Sequence, residues 1–210
     1  MNYDRLNGQQ FDLVDDVVKD EILRDIAAGE YVAAFASPEC STFSKLHNLP
    51  GPPPLRTVDR PERYGITTNN AEQKEKVRIH TLMAVRVATA LDLLTELRIP
   101  WLFETPAIHA GQVSMAHLDE YRALLKMDGV KHTIGLQCPF GAQSSKPTSW
   151  IYYLMELDGM PNKCEHLKRT WHNNRIGVII FSRHMPTAGR DSHSLTPQSS
   201  TTFGIRRVTP

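Results

Sequence analysis

The 210 residues predict an α/β domain built on a doubly wound, mostly parallel sheet. Three observations lead there. The apolar runs Tyr31–Ala36 and Trp101–Glu104 have the length and composition of buried parallel strands. Between them runs a long helical pattern, with Val77, Leu82, Val85, Ala88, Leu91, Leu94 and Leu97 on one broad face. Strand and helix patterns then alternate from residue 12 to residue 154, the arrangement that right-handed crossovers convert into a wound sheet.

Residues 1–10 are polar and read as loose, and Phe11–Asp15 reads as a short strand end. From Asp16 to Ala28, Val17, Ile22, Leu23 and Ile26 fit a helix that Gly29 stops. Pro38 halts the strand that follows. Residues 45–68, with Pro50, Pro52, Pro53, Pro54 and Pro61, show no period and read as one long loop, a candidate lid. Asn70 caps the long helix and Gln73 returns the bond, while Arg98-Ile99-Pro100 breaks it. Ser114 is expected to cap a third helix, with Leu118, Tyr121, Leu124 and Leu125 on one face and Gly129 as terminator. Lys131–Leu136, Ser149–Leu154 and Ile176–Phe181 read as strands, and 185–202 is rich in Ser, Thr and Pro and expected to be mobile.

Charge divides the chain. Net charge is +1 overall, yet residues 161–210 carry eight Lys/Arg against two acids. The expected organisation is an α/β core over 1–160 and a basic, partly irregular segment over 161–210. Such a segment suits a phosphate-bearing partner or a solvated tail. No apolar run is long enough to span a bilayer, and the polar start has no secretory pattern. Cys40, Cys138 and Cys164 are an odd set without close pairing, so free thiols in an intracellular protein, cytoplasmic or nuclear, are expected. Cys164-Glu165-His166 with His172 departs from structural zinc spacings, and no metal site is assigned. Lys168-Arg169-Thr170-Trp171-His172 with Arg175 mixes charge with an aromatic ring, as nucleic-acid surfaces do and as a solvated turn equally can.

Two strand ends carry reactive groups. Cys40 follows the first buried strand, and Glu104 closes the second. In open α/β sheets, ligands bind beyond the carboxyl ends of strands. A thiol there is either a nucleophile or one more buried cysteine. A buried carboxylate needs a partner.

Pro38-Glu39-Cys40-Ser41-Thr42-Phe43-Ser44 resembles the Pro-Cys-Gln-x-Phe-Ser nucleophile loop of DNA cytosine-5 methyltransferases. Glu104-Thr105-Pro106 is similar to their Glu-Asn-Val/Pro motif, and Phe140-Gly141 through Lys146 to their Tyr-Gly-x-x-Gln-x-Arg motif. Asp12-Leu13-Val14-Asp15 resembles their acidic strand end that contacts the cofactor's adenine. The resemblance covers roughly residues 12–155 and is closest to the short forms of phages and mobile elements. It implies a Rossmann-like methyltransferase core acting on DNA with S-adenosyl-L-methionine. Cys40 would attack cytosine C6, Glu104 would hold and protonate the base edge, and Lys146 would stabilise charge. Ser41, Thr42 and Ser44 would orient the loop and, with Gln143, bind substrate, and Asp12, Asp15 and Pro38 would face the cofactor. The target base would have to leave the duplex.

Three differences from that pattern stand out. Glu39 sits beside the thiol, where a carboxylate disfavours the thiolate. Thr105 replaces an Asn. The family's Phe-x-Gly-x-Gly loop has no counterpart, so the core is expected to be incomplete at its N-terminal side. An inactive methyltransferase-fold module that binds nucleic acid or assembles with partners is the alternative. A cysteine hydrolase lacks the glycine turn around Cys40, and an amino-group methyltransferase would need an aromatic ring in its place.

Overall fold

The computed structural model describes residues 2–3, 8, 12–43, 54–108, 113–136, 147–157 and 178–182. Its strands are β1 (Asn2–Tyr3), β2 (Tyr31–Ala36), β3 (Trp101–Pro106), β4 (Val130–Leu136), β5 (Pro147–Tyr153) and β6 (Val178–Ser182). Its helices are α1 (Asp16–Ala27), α2 (Ala71–Glu96) and α3 (Asp119–Leu124). The strands form one mixed sheet in the order β1-β6-β2-β3-β5-β4.

Among the described residues only β2 and β3 run parallel, with Ala34 opposite Trp101 and Ala36 opposite Phe103. The other pairings are antiparallel. The expected mostly parallel sheet is thereby corrected, and the reason lies in the connections. Parallel neighbours need a crossover, and α2 supplies one between β2 and β3. β4 and β5 instead pair with each other as antiparallel neighbours, which reverses β5 against β3. β6, from the basic C-terminal segment, joins the same sheet beside β2.

The helices also gather on one side. Ala34, Ala36, Trp101, Phe103, Ile151 and Tyr153 share one sheet face by register, and they form a single core with α1, α2 and α3. Phe35, Leu102, Glu104, Trp150 and Tyr152 share the opposite face. Among the described residues no helix covers that second face, so the doubly wound arrangement is not what they form. Trp101 is the anchor of the core, fully buried, with its indole N–H donating to Thr95 Oγ1 at 2.8 Å.

Several local signals appear as read. Asn70 and Gln73 form a reciprocal cap on α2, a motif that stabilises a helix start by about 1 kcal/mol. Gly29 and Gly129 take positive φ after their elements. Others differ. The stretch Asp12–Asp15 is a turn rather than a strand end, because Asp12 bonds the Val14 N–H and Asp15 caps α1 through the Val17 N–H. Asn2–Tyr3, read as loose, adds a short strand to the sheet.

The helix expected from Ser114 is split. Ser114 caps only a 3-10 turn, Met115–His117; Leu118 is extended, and α3 follows as a short helix. In that cap the Ser114 N–H donates to His117 Nδ1 at 3.0 Å. This needs a neutral acceptor nitrogen. Burial, then the nearby Arg63 and Arg122, hold His117 below its ordinary 6.5, and burial does the same for His132. The unfolded chain therefore takes up protons that the fold resists. Stability is expected to be complete above pH 6.5 and to decline as pH falls through the lower native values. Urea midpoints at pH 7.5 and 5.5 check this, and His117→Gln should flatten the difference.

Among the described residues no helix is long and apolar enough to cross a membrane.

Candidate active site

The β2–β3 register decides what meets at the carboxyl end of the parallel pair. Because Ala36 lies opposite Phe103, the next residues along, Ser37 and Glu104, fall side by side. Ser37 Oγ donates to Glu104 Oε2 at 2.5 Å, and the two residues are only 5% and 4% exposed. A short hydrogen bond of this kind offsets part of the cost of removing the carboxyl group from water. Cys40 lies three residues past Ser37, half-buried against the core and outside any disulfide. Its carbonyl accepts the Phe43 N–H at 2.8 Å, which closes the 3-10 turn Ser41–Phe43. Thiol loop and carboxylate therefore share one end of one strand pair.

Trp150 completes this corner, although nothing in the sequence pattern singles it out. It pairs across the strands with Glu104, on the face away from the helices. Directly opposed residues on neighbouring strands touch. The Trp150 indole N–H is buried and has no hydrogen-bond partner among the described residues. The corner thus offers a thiol, a carboxyl group, an indole donor and a flat ring. β5 also begins here, with Pro147 O accepting the Ala107 N–H just beyond β3.

The Cys40 loop is braced from below by Arg56, 2% exposed. Its Nε donates to Thr42 Oγ1 at 3.1 Å. One terminal nitrogen reaches Arg63 O at 3.1 Å and Thr81 Oγ1 at 3.0 Å, and the other reaches Val77 O at 3.0 Å. The guanidinium also stacks 3.8 Å from the Phe43 ring centre. Burial pushes its pKa down to about 9, which keeps it charged at neutral pH. Thr42 Oγ1 lies 3.3 Å from His80 Nδ1 as well. Thr42 therefore faces inward and holds the loop, which agrees with the orienting role the resemblance implies for it.

The same contacts bear on the expected lid. Residues 54–68 are built into the body, with Leu55, Arg56 and Arg63 buried and Tyr64 bonded to Glu120. That half of the segment is a brace, and residues 44–53 lie outside the described region.

The remaining predicted residues divide in the same way. Among the described residues Ser41 Oγ is buried without a hydrogen-bond partner, as is Thr105 Oγ1 beside Glu104. Pro38 links the β2 end to the thiol loop. Asp12 and Asp15 each spend a carboxylate oxygen on their own backbone turn. Ser44, Gln143 and Lys146 lie outside the described residues, as do Cys138 and the Cys164–His172 cluster. No group of three or more His, Cys, Asp or Glu able to hold a metal occurs among the described residues.

Comparison with family models, curated proteins and solved structures found no match.

Proposed function

We propose that Cys40 and Glu104 activate a cytosine base in DNA, in the manner of the cytosine-5 methyltransferases that the motifs resemble. The observation that carries this is the β2–β3 register, which sets the thiol loop and the Ser37–Glu104 pair at one end of adjacent parallel strands. The Cys40 sulfur, as thiolate, forms a bond to C6 while N3 takes the proton of the Glu104 carboxyl group. The C5=C6 π bond breaks and its electron pair moves to C5, which becomes nucleophilic. A solvent proton then adds at C5, and loss of the original C5 hydrogen, return of the N3 proton to Glu104 and expulsion of the thiolate restore the base. The Trp150 ring is placed to stack on a flipped pyrimidine beside Glu104.

In that family S-adenosyl-L-methionine supplies the methyl group that C5 captures. The described residues do not fit that donor. Asp12 and Asp15 are committed to a turn and a helix cap, and the chain has no x-Gly-x-Gly cradle. The step drawn from these side chains is therefore addition to C6, and the electrophile it needs at C5 is a solvent proton.

A duplex carrying cytosine tritiated at C5 tests this with and without S-adenosyl-L-methionine. Tritium release that Cys40→Ser abolishes is expected in both. A second reading, an inactive DNA-binding module, draws on the near-complete burial of Glu104 against Ser37. Retention of DNA with no tritium release would establish it instead.

A further inference from the structure

A groove of about 500 Å³ lies between residues 64–69 and the first half of α2. This is the size range of small-molecule sites. Its floor is apolar, from Ile66, Val77, Leu82 and Val85, with the Tyr64 ring at one side. Lys74 and Arg78, both exposed, stand over it. We propose that this groove binds one nucleotide of a single nucleic-acid strand, base on the apolar floor and phosphate on Lys74 and Arg78.

Charge and shape choose the occupant. Lys74 makes no ion pair among the described residues. Arg78 binds Glu75 through Nε and one terminal nitrogen at 2.8 Å, and among the described residues its other terminal nitrogen makes no hydrogen bond. An open guanidinium donor near an exposed ammonium suits a phosphate. An apolar lining that includes Tyr64 suits a base face, which binds without regard to sequence. Gly65 brings the loop wall close to α2: a Cβ there would meet Val77 at 2.8 Å, and its φ is +135°.

The groove is also wired to the thiol loop. Thr81 and Val77 line it, and both bond Arg56, whose Nε holds Thr42 two residues past Cys40. α2 leads from the loop side into β3, so its first half lies at the sheet end that carries Cys40 and Glu104. An occupant there would grip the strand next to the base under attack. The choice of a nucleic-acid strand over a free ligand rests on the cytosine reading given above.

A fluorescein-labelled oligothymidylate separates the two ideas, because it contains no cytosine for Cys40 to engage. Anisotropy titrations should show binding that Lys74→Glu/Arg78→Glu weakens at least about 10-fold. The double change should also lower the slope of log affinity against log salt by about 0.7, the single-strand value for one neutralised phosphate. Val85→Trp, which fills the floor, should weaken binding without changing that slope. Lys76→Glu, on the same helix but outside the groove, is the control and should have a smaller effect. Binding unchanged in the double variant, or weakened equally by Lys76→Glu, overturns the proposal. So does affinity for dodecanoate with none for the oligonucleotide. If groove-dependent binding persists while tritium release is absent, the groove stands and the catalytic reading falls.

Discussion

Glu104→Gln folds as the parent protein does and loses C5 hydrogen exchange by about 10²- to 10⁴-fold, the range that a positioned acid supplies. The amide oxygen still accepts the Ser37 hydroxyl hydrogen, so the hydrogen bond in this 4%-exposed corner persists. Stability should fall by no more than about 1 kcal/mol, the net worth of a neutral hydrogen bond. What disappears is the acidic proton for N3. Glu104→Leu makes the contrast. It leaves the Ser37 hydroxyl buried without an acceptor and should cost about 1–3 kcal/mol in addition to the activity. Urea unfolding beside tritium release separates the two effects. Equal exchange in Glu104→Gln and the parent would confine Glu104 to a structural role.

Arg56→Ala should lower stability by about 4 kcal/mol, at the upper end of what single substitutions do. The side chain is 2% exposed, and its loss strips donors from Thr42 Oγ1, Arg63 O and Val77 O at once. Each orphaned acceptor costs about 1–3 kcal/mol, less in sum because neighbours relax. Phe43 also loses the plane stacked on it. Arg56→Lys should recover little, since one ammonium cannot reach acceptors spread around a planar fork. Denaturant midpoints check the magnitude. Where the variant stays folded, exchange should fall with it, because the turn following Cys40 has lost its brace.

The contrast between these two residues shows what the chain discloses locally. Glu104 is legible because a carboxylate ending an apolar strand needs a partner, whatever the fold. Asn70 and Gln73 are legible because both halves of the cap lie within four residues. Arg56 is not, because its partners come from Thr42, Arg63, Val77 and Thr81, which only the folded chain brings together. Trp150 is hidden for a related reason. Its place beside Glu104 depends on β5 running against β3, and a run such as Ser149–Leu154 carries no mark of its direction. Asp12 and Asp15 show the opposite failure. An acid followed by apolar residues resembles a strand end, but the same side chains close turns on their own backbone.

The most direct measurement is the mass of the protein after incubation with a duplex in which 2-pyrimidinone replaces one cytosine. That ring lacks the 4-amino group and is more open to attack at C6. One added oligonucleotide mass, mapped by digestion to the peptide bearing Cys40 and absent from Cys40→Ser, is the expected result. An unchanged mass under conditions where the duplex is bound, or an adduct that survives Cys40→Ser, would contradict the account.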